Sequence, residues 1–143
     1  MIKVNISSRG LDFEVVADKL AGPVMRKFVE RLADVAWAAA FYEAPWRTGK
    51  LVQSIVKNVS ENKFSVEALA PYAIYVINGT APHEIRPVNA SCLAFKARSG
   101  RMVFTRLVRH AGTRANPFMR RAAEQTVDKA LEVFGEVWGE EIA

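Results

Sequence analysis

The sequence predicts an α+β domain: an antiparallel sheet of two hairpins packed against a long helix in the N-terminal half and a second helix at the C-terminus. Two pairs of short strand-like runs flank polar turns, at Glu61-Asn62-Lys63 and Ser99-Gly100-Arg101. Residues 24–43 carry Phe28, Leu32, Val35, Ala36, Ala39 and Ala40 at helical spacing. From Pro117 to about Trp138 the same period returns in Phe118, Ala122, Ala123, Val127, Ala130, Leu131, Phe134 and Trp138, which predicts one apolar face.

In chain order, Ile2, Val4 and Ile6 alternate with Lys3 and Asn5, the pattern of a short strand that can join the sheet. Residues 11–20 are read as a short helix. Gly22-Pro23 resets the chain, with Pro suited to a first helical turn. The alanines of the long helix permit close approach by a neighbour, and Pro45 ends it. Thr48-Gly49 makes a turn into strands at 54–60 and 64–69. Tyr72 to Ile77 is too short and too apolar to assign by period, and Asn78-Gly79 signals a turn. The second hairpin pairs 93–96 with 102–105. Asn116 is placed to cap the final helix ahead of Pro117.

At 143 residues with half of them apolar, including three Trp and eight Phe, the chain suits a single folded domain and not intrinsic disorder. Cys92 stands alone, which excludes an internal disulfide and a cysteine-based zinc site. Asn5, Ser7, Arg9 and Asp12 interrupt any signal-peptide core, and no apolar run approaches a membrane span. The expectation is a soluble protein of a reducing compartment, with no membrane partner and no cofactor.

The net charge of +5 is unevenly placed. Between Ile85 and Ala123 there are nine Lys or Arg and no acid, which marks residues 80–116 as a basic excursion from the domain. Arg98, Arg101, Arg106, Arg109 and Arg114 have no acid within this stretch to neutralise them. With Phe95 and Phe104 between the cations, the excursion can contact nucleic acid; alternatively the two rings are the core of a hairpin with a cationic face. Glu124, Asp128, Glu132, Glu136 and Glu140 recur every fourth residue, a ridge that drifts by about 40° per step. That ridge is either a solvated face or an interface for a cationic partner, including the excursion of another copy.

Two histidines beside a basic surface raise general acid–base cleavage of a phosphodiester by His83 and His110. Neither sits in a catalytic motif, and two His with no nearby Cys or Asp make a poor metal set. No Gly-rich phosphate loop follows a strand, and no Ser has a nucleophile-elbow context. The expectation is a protein without catalytic or metal-binding residues.

Four phrases remain: Pro45-x-x-Thr48-Gly49-x-Leu51-x-x-Ser54-Ile55; Tyr72-Ala73-x-Tyr75-Val76-x-x-Gly79-Thr80; Leu93-Ala94-Phe95 with its hairpin; and His110-x-Gly112-Thr113 running into Asn116-Pro117-Phe118-Met119. In this order and spacing the chain resembles the small head–tail joining proteins of tailed bacteriophages, called neck, tail-completion or minor tail proteins, over nearly all of residues 23–135. It departs from them at Ile77-Asn78, where the family often has an acid and an aromatic, and at Ala111, where it often has Pro. The resemblance implies a structural protein of a virion or prophage, present in host cytoplasm during assembly. Copies would form a ring between the tail tube and the head connector. The phrase residues then have scaffold roles. A nucleic-acid-binding module is the alternative, and a small basic ribonuclease a more distant one.

Overall fold

The computed structural model describes residues 2–7, 9–15 and 22–142. It is α+β, as the sequence predicts. Strands β1 (Ile2–Ile6), β2 (Gly10–Val15), β3 (Ile55–Val59) and β4 (Lys63–Ala68) form an antiparallel sheet in the order β1-β2-β4-β3. Helix α1 (Gly22–Glu43) and helix α4 (Phe118–Ile142) pack against one face. Between them lie two short helices, α2 (Lys50–Gln53) and α3 (Ala73–Asn78). Two separate ladders complete the chain: β5 (His83–Ile85) with β8 (Val108–His110), and β6 (Leu93–Lys96) with β7 (Met102–Thr105).

Alternation sets the sheet's two faces. Leu11 and Phe13 of β2, and Phe64, Val66 and Ala68 of β4, are buried, while Asp12 and Glu14 point to solvent. Phe13 sits opposite Phe64 in the ladder, and their rings stack at 4.6 Å. This corrects the helix expected over 11–20: its first part, Leu11 to Val15, is strand, with Leu11 to Glu14 paired on both sides. Residues 16–20 lie outside the described residues. The second expected hairpin forms as β6–β7 but stands apart from the main sheet, whose other hairpin is β1–β2.

Helix α1 buries Phe28, Val29, Leu32, Ala33, Ala36 and Ala40, and its small residues admit α4 closely. Phe28 meets Phe134 edge to face at 5.4 Å. Phe118, Ala122, Ala123 and Ala130 are buried as expected, but the face that α4 buries is rotated in part: Thr126, Val133 and Val137 are buried where Val127, Phe134 and Trp138 were expected, each one residue earlier. Phe134 remains half-buried at the boundary, whereas Val127, Leu131 and Trp138 are exposed, Leu131 to 85%. Thr126 tolerates burial because its hydroxyl donates to the Ala122 carbonyl at 2.7 Å.

This rotation is testable. Val137→Ala should lower stability by about 2 kcal/mol through lost burial and a residual cavity. Leu131→Ala should change it by no more than about 0.5 kcal/mol. Urea unfolding of both variants measures the contrast, and equal losses would contradict the observed face.

Candidate assembly surfaces

The phrase from Pro45 to Ile55 folds as a corner. Pro45 and Thr48 are exposed just past α1, and Gly49 is buried at the start of α2. Gln53 N–H donates to the Gly49 carbonyl, and the Ser54 hydroxyl to the Leu51 carbonyl at 2.6 Å. Leu51, Val52 and Ile55 enter the core, so the corner anchors β3 beneath α1. Trp37 adds an indole N–H to the Ile55 carbonyl at 3.0 Å.

The next two phrases, far apart in sequence, meet in space. The run whose period was indecisive is α3, which buries Ala73 and leaves Tyr72 and Tyr75 exposed. It ends at Gly79, and Thr80 then pairs with Thr113. Their backbones exchange both N–H···O bonds, at 3.0 and 3.1 Å, and their hydroxyls lie 2.8 Å apart. Asn116 N–H also donates to the Val76 carbonyl at 2.9 Å. Gly79 and Gly112 take φ of +72° and +85° beside this clasp. A Cβ at Gly79 would sit 2.5 Å from the Thr113 carbonyl oxygen, and one at Gly112 would overlap that of Thr80.

Beyond the clasp the chain runs out and back as an arm. His83 lies opposite His110, Glu84 opposite Arg109 and Ile85 opposite Val108. Farther out, Ala94 faces Phe104 and Lys96 faces Met102, and the tip closes through Ala97, Gly100 and Arg101. Phe104 is 68% exposed and Met102 57%, and Phe95 is also exposed, so these rings do not form a hairpin core. Arg98, Arg101, Arg106, Arg109 and Arg114 are all exposed. Arg109 is partly neutralised by Glu84, one residue outside the acid-free run, at 3.4 Å, and Glu84 also holds Arg86 at 3.0 Å. Lys96, Arg98, Arg101, Arg106 and Arg114 have no ion pair among the described residues.

The acidic ridge is divided. Glu136 and Glu140 reach Arg31 at 3.8 and 2.7 Å, and Glu140 and Glu141 reach Lys27 at 3.1 and 2.7 Å. Glu124 pairs with Arg120 one turn earlier. Within the ridge, Glu136 and Glu140 thus join α4 to α1, while Asp128 and Glu132 are exposed without an ion pair among the described residues. Hydrogen bonds from Lys27, then Arg31, hold the Glu140 carboxyl below its ordinary range. Glu141, then Glu140, raises the Lys27 ammonium. At the other end of the helix pair, Arg121 and Gln125 both donate to Glu43, at 2.6 and 2.7 Å, and lower its carboxyl in that order of effect. The Asn116 side chain accepts from Arg121 at 2.9 Å; it organises this ion pair instead of capping α4. Pro117 precedes the helix, and Phe118 and Met119 are buried at once.

The two histidines are brought together, with ring centroids 5.0 Å apart. Each Nδ1 is engaged: His83 with the Ala81 carbonyl at 2.9 Å, and His110 as acceptor from the Gly112 N–H at 3.0 Å. Protonating His110 at Nδ1 would break its bond beside the clasp, which opposes use of that ring as the general acid. No cluster of three or more His, Cys, Asp or Glu suited to a metal ion occurs among the described residues. No helix of the described residues is long and apolar enough to cross a membrane.

Comparisons with protein-family models, curated proteins and solved structures give no match. Gly112→Ala tests the clasp. Left-handed φ costs a non-glycine residue about 1–2 kcal/mol, so the Thr80 and Thr113 amides should exchange about tenfold faster or more while α1 keeps its protection. Unchanged exchange at both threonines would contradict the clasp.

Proposed function

We propose that this chain is a structural subunit of a phage or prophage particle that joins the tail to the head connector by self-assembling into a ring, the role called tail completion or neck formation. The observation that carries this reading is the meeting of two separate phrases of the resemblance, Gly79-Thr80 and Gly112-Thr113, in a clasp that holds out a cationic arm. The other phrases anchor β3 and begin α4, so the shared residues build a scaffold and an appendage. A ring requires that one surface of a subunit meet a different surface of the next. The arm and the exposed side of α4 are two such surfaces, opposite in charge. The partners are other copies, the head connector and the tail tube; the reading invokes no catalytic turnover, cofactor or membrane. The protein belongs to the virion and to host cytoplasm while particles form.

Exposed Phe95 and Phe104, among cations with no ion pair among the described residues, support a second reading, contact with nucleic acid by stacking and phosphate pairing. The ribonuclease reading has the proximity of His83 and His110 in its favour and the engaged His110 Nδ1 against it.

Deletion of the gene from a particle-producing genome tests the proposal. Electron microscopy of the lysate should reveal filled heads and separate tails, and a plasmid copy should restore joined particles. Joined particles in normal yield without the gene would contradict the role.

A further inference from the structure

We propose that the β6–β7 hairpin of one copy docks on the exposed apolar stripe of α4 in the next copy. This rests on the self-assembly reading and names the surfaces that would carry it. The stripe consists of Val127, Leu131 and Trp138, all exposed, with the Phe134 ring stacked on Trp138 at 5.8 Å. These positions recur at intervals of four and three or four residues, so they line one side of the helix over about 16 Å. They lie beside the face that packs on the core. A continuous apolar stripe beside a filled core is an interaction surface in search of a cover.

Spacing and charge point to the hairpin as that cover. Met102 and Phe104 are two residues apart on one strand, so their side chains project on one face about 7 Å apart. Val127 and Leu131, one helical turn apart, are separated by about 6 Å along the axis. Two apolar knobs therefore match two apolar positions. Asp128 and Glu132 border the stripe on the helix surface, and both lack an ion pair among the described residues. Lys96 lies on the same hairpin face as Met102, and Arg98, Arg101 and Arg106 surround that face, also without ion pairs among the described residues. Docking would cover the apolar residues of both surfaces and bring those cations to those carboxylates. A lone two-stranded hairpin is marginal in water, so the contact would also stabilise the arm. Exposed ion pairs contribute little affinity, so the charges set register while Phe104, Met102 and Leu131 supply the attraction.

The test uses the full chain with Cys92→Ser. Phe104→Cys and Leu131→Cys proteins are mixed under mild oxidation, beside a control mixture of Phe104→Cys with Glu30→Cys, an exposed α1 position. The first mixture should form a disulfide-linked heterodimer at least about tenfold faster than the control, as expected for a geometry that holds the two positions together. Separately, Leu131→Asp and Phe104→Asp should each weaken self-association by about tenfold to a hundredfold, the order for one large apolar side chain. Their combination should be little worse than either alone, because both remove one contact. Circular dichroism of each variant should match the parent, since both positions are exposed. Self-association that survives both substitutions, with no cross-link preference, overturns this docking and leaves ring assembly standing. A chain that stays monomeric at every concentration, without cross-linking, overturns both. If no cross-link preference appears and Phe104→Asp instead abolishes binding to a DNA duplex, the arm is a nucleic-acid contact and the docking is wrong.

Discussion

At one end of the helix pair Glu43 receives Arg121 and Gln125; at the other, Lys27 and Arg31 hold Glu136, Glu140 and Glu141. Each pair is partly exposed and contributes little alone. Acting at both ends of two antiparallel helices, they set how α4 is turned about its axis. That turn buries Thr126, Val133 and Val137 and leaves Val127, Leu131 and Trp138 outside. It also pairs Glu136 and Glu140 with α1 and leaves Asp128 and Glu132 without an ion pair among the described residues. The external chemistry of α4 is thus a consequence of its internal pairing.

A second constraint acts where the arm leaves the body. Thr80 and Thr113 are paired by backbone and hydroxyl, between two glycines that no larger residue can replace without overlap. The clasp sits directly between α3 and the start of α4, since Asn116 bonds to the Val76 carbonyl and Phe118 is already buried. The base of the arm is consequently fixed to the core. Its outer ladder, β6–β7, pairs with no other strand among the described residues and carries several exposed apolar and cationic side chains.

Much of this was legible in the residues because it depends on local rules. Pro45 past the end of α1, the polar turns of both hairpins, and the helical period before and after Pro117 each identify an element without reference to the rest. The Gly-Thr phrases stood out as brackets around the excursion, and they are the residues that meet. What was not legible depends on tertiary partners. Val127, Leu131 and Trp138 are more apolar than Thr126, so period alone places the edge of the buried face wrongly; the ion pairs with α1 favour the observed turn, and the Thr126–Ala122 hydrogen bond makes burial of that hydroxyl tolerable. The signal that could have found this was Lys27 and Arg31, a basic pair one turn apart on α1 that matches the acidic pair Glu136 and Glu140 once the helices run antiparallel. Residues 11–15 are different: Leu11, Phe13 and Val15 alternate with Asp12 and Glu14, so the strand signal lies in the residues themselves, and the helix expected over 11–20 runs against it.

On the proposed docking, the clasp-held arm and the stripe exposed on α4 are two halves of one contact between copies. Amide exchange measured residue by residue, in dilute dissociated protein and again in the associated state, tests it most directly. The account predicts that Met102 to Thr105 gain protection on association together with Val127 to Trp138, while the already paired Thr80 and Thr113 change little. Association that leaves the β6–β7 amides as exposed as in the monomer, with protection gained elsewhere, would contradict it.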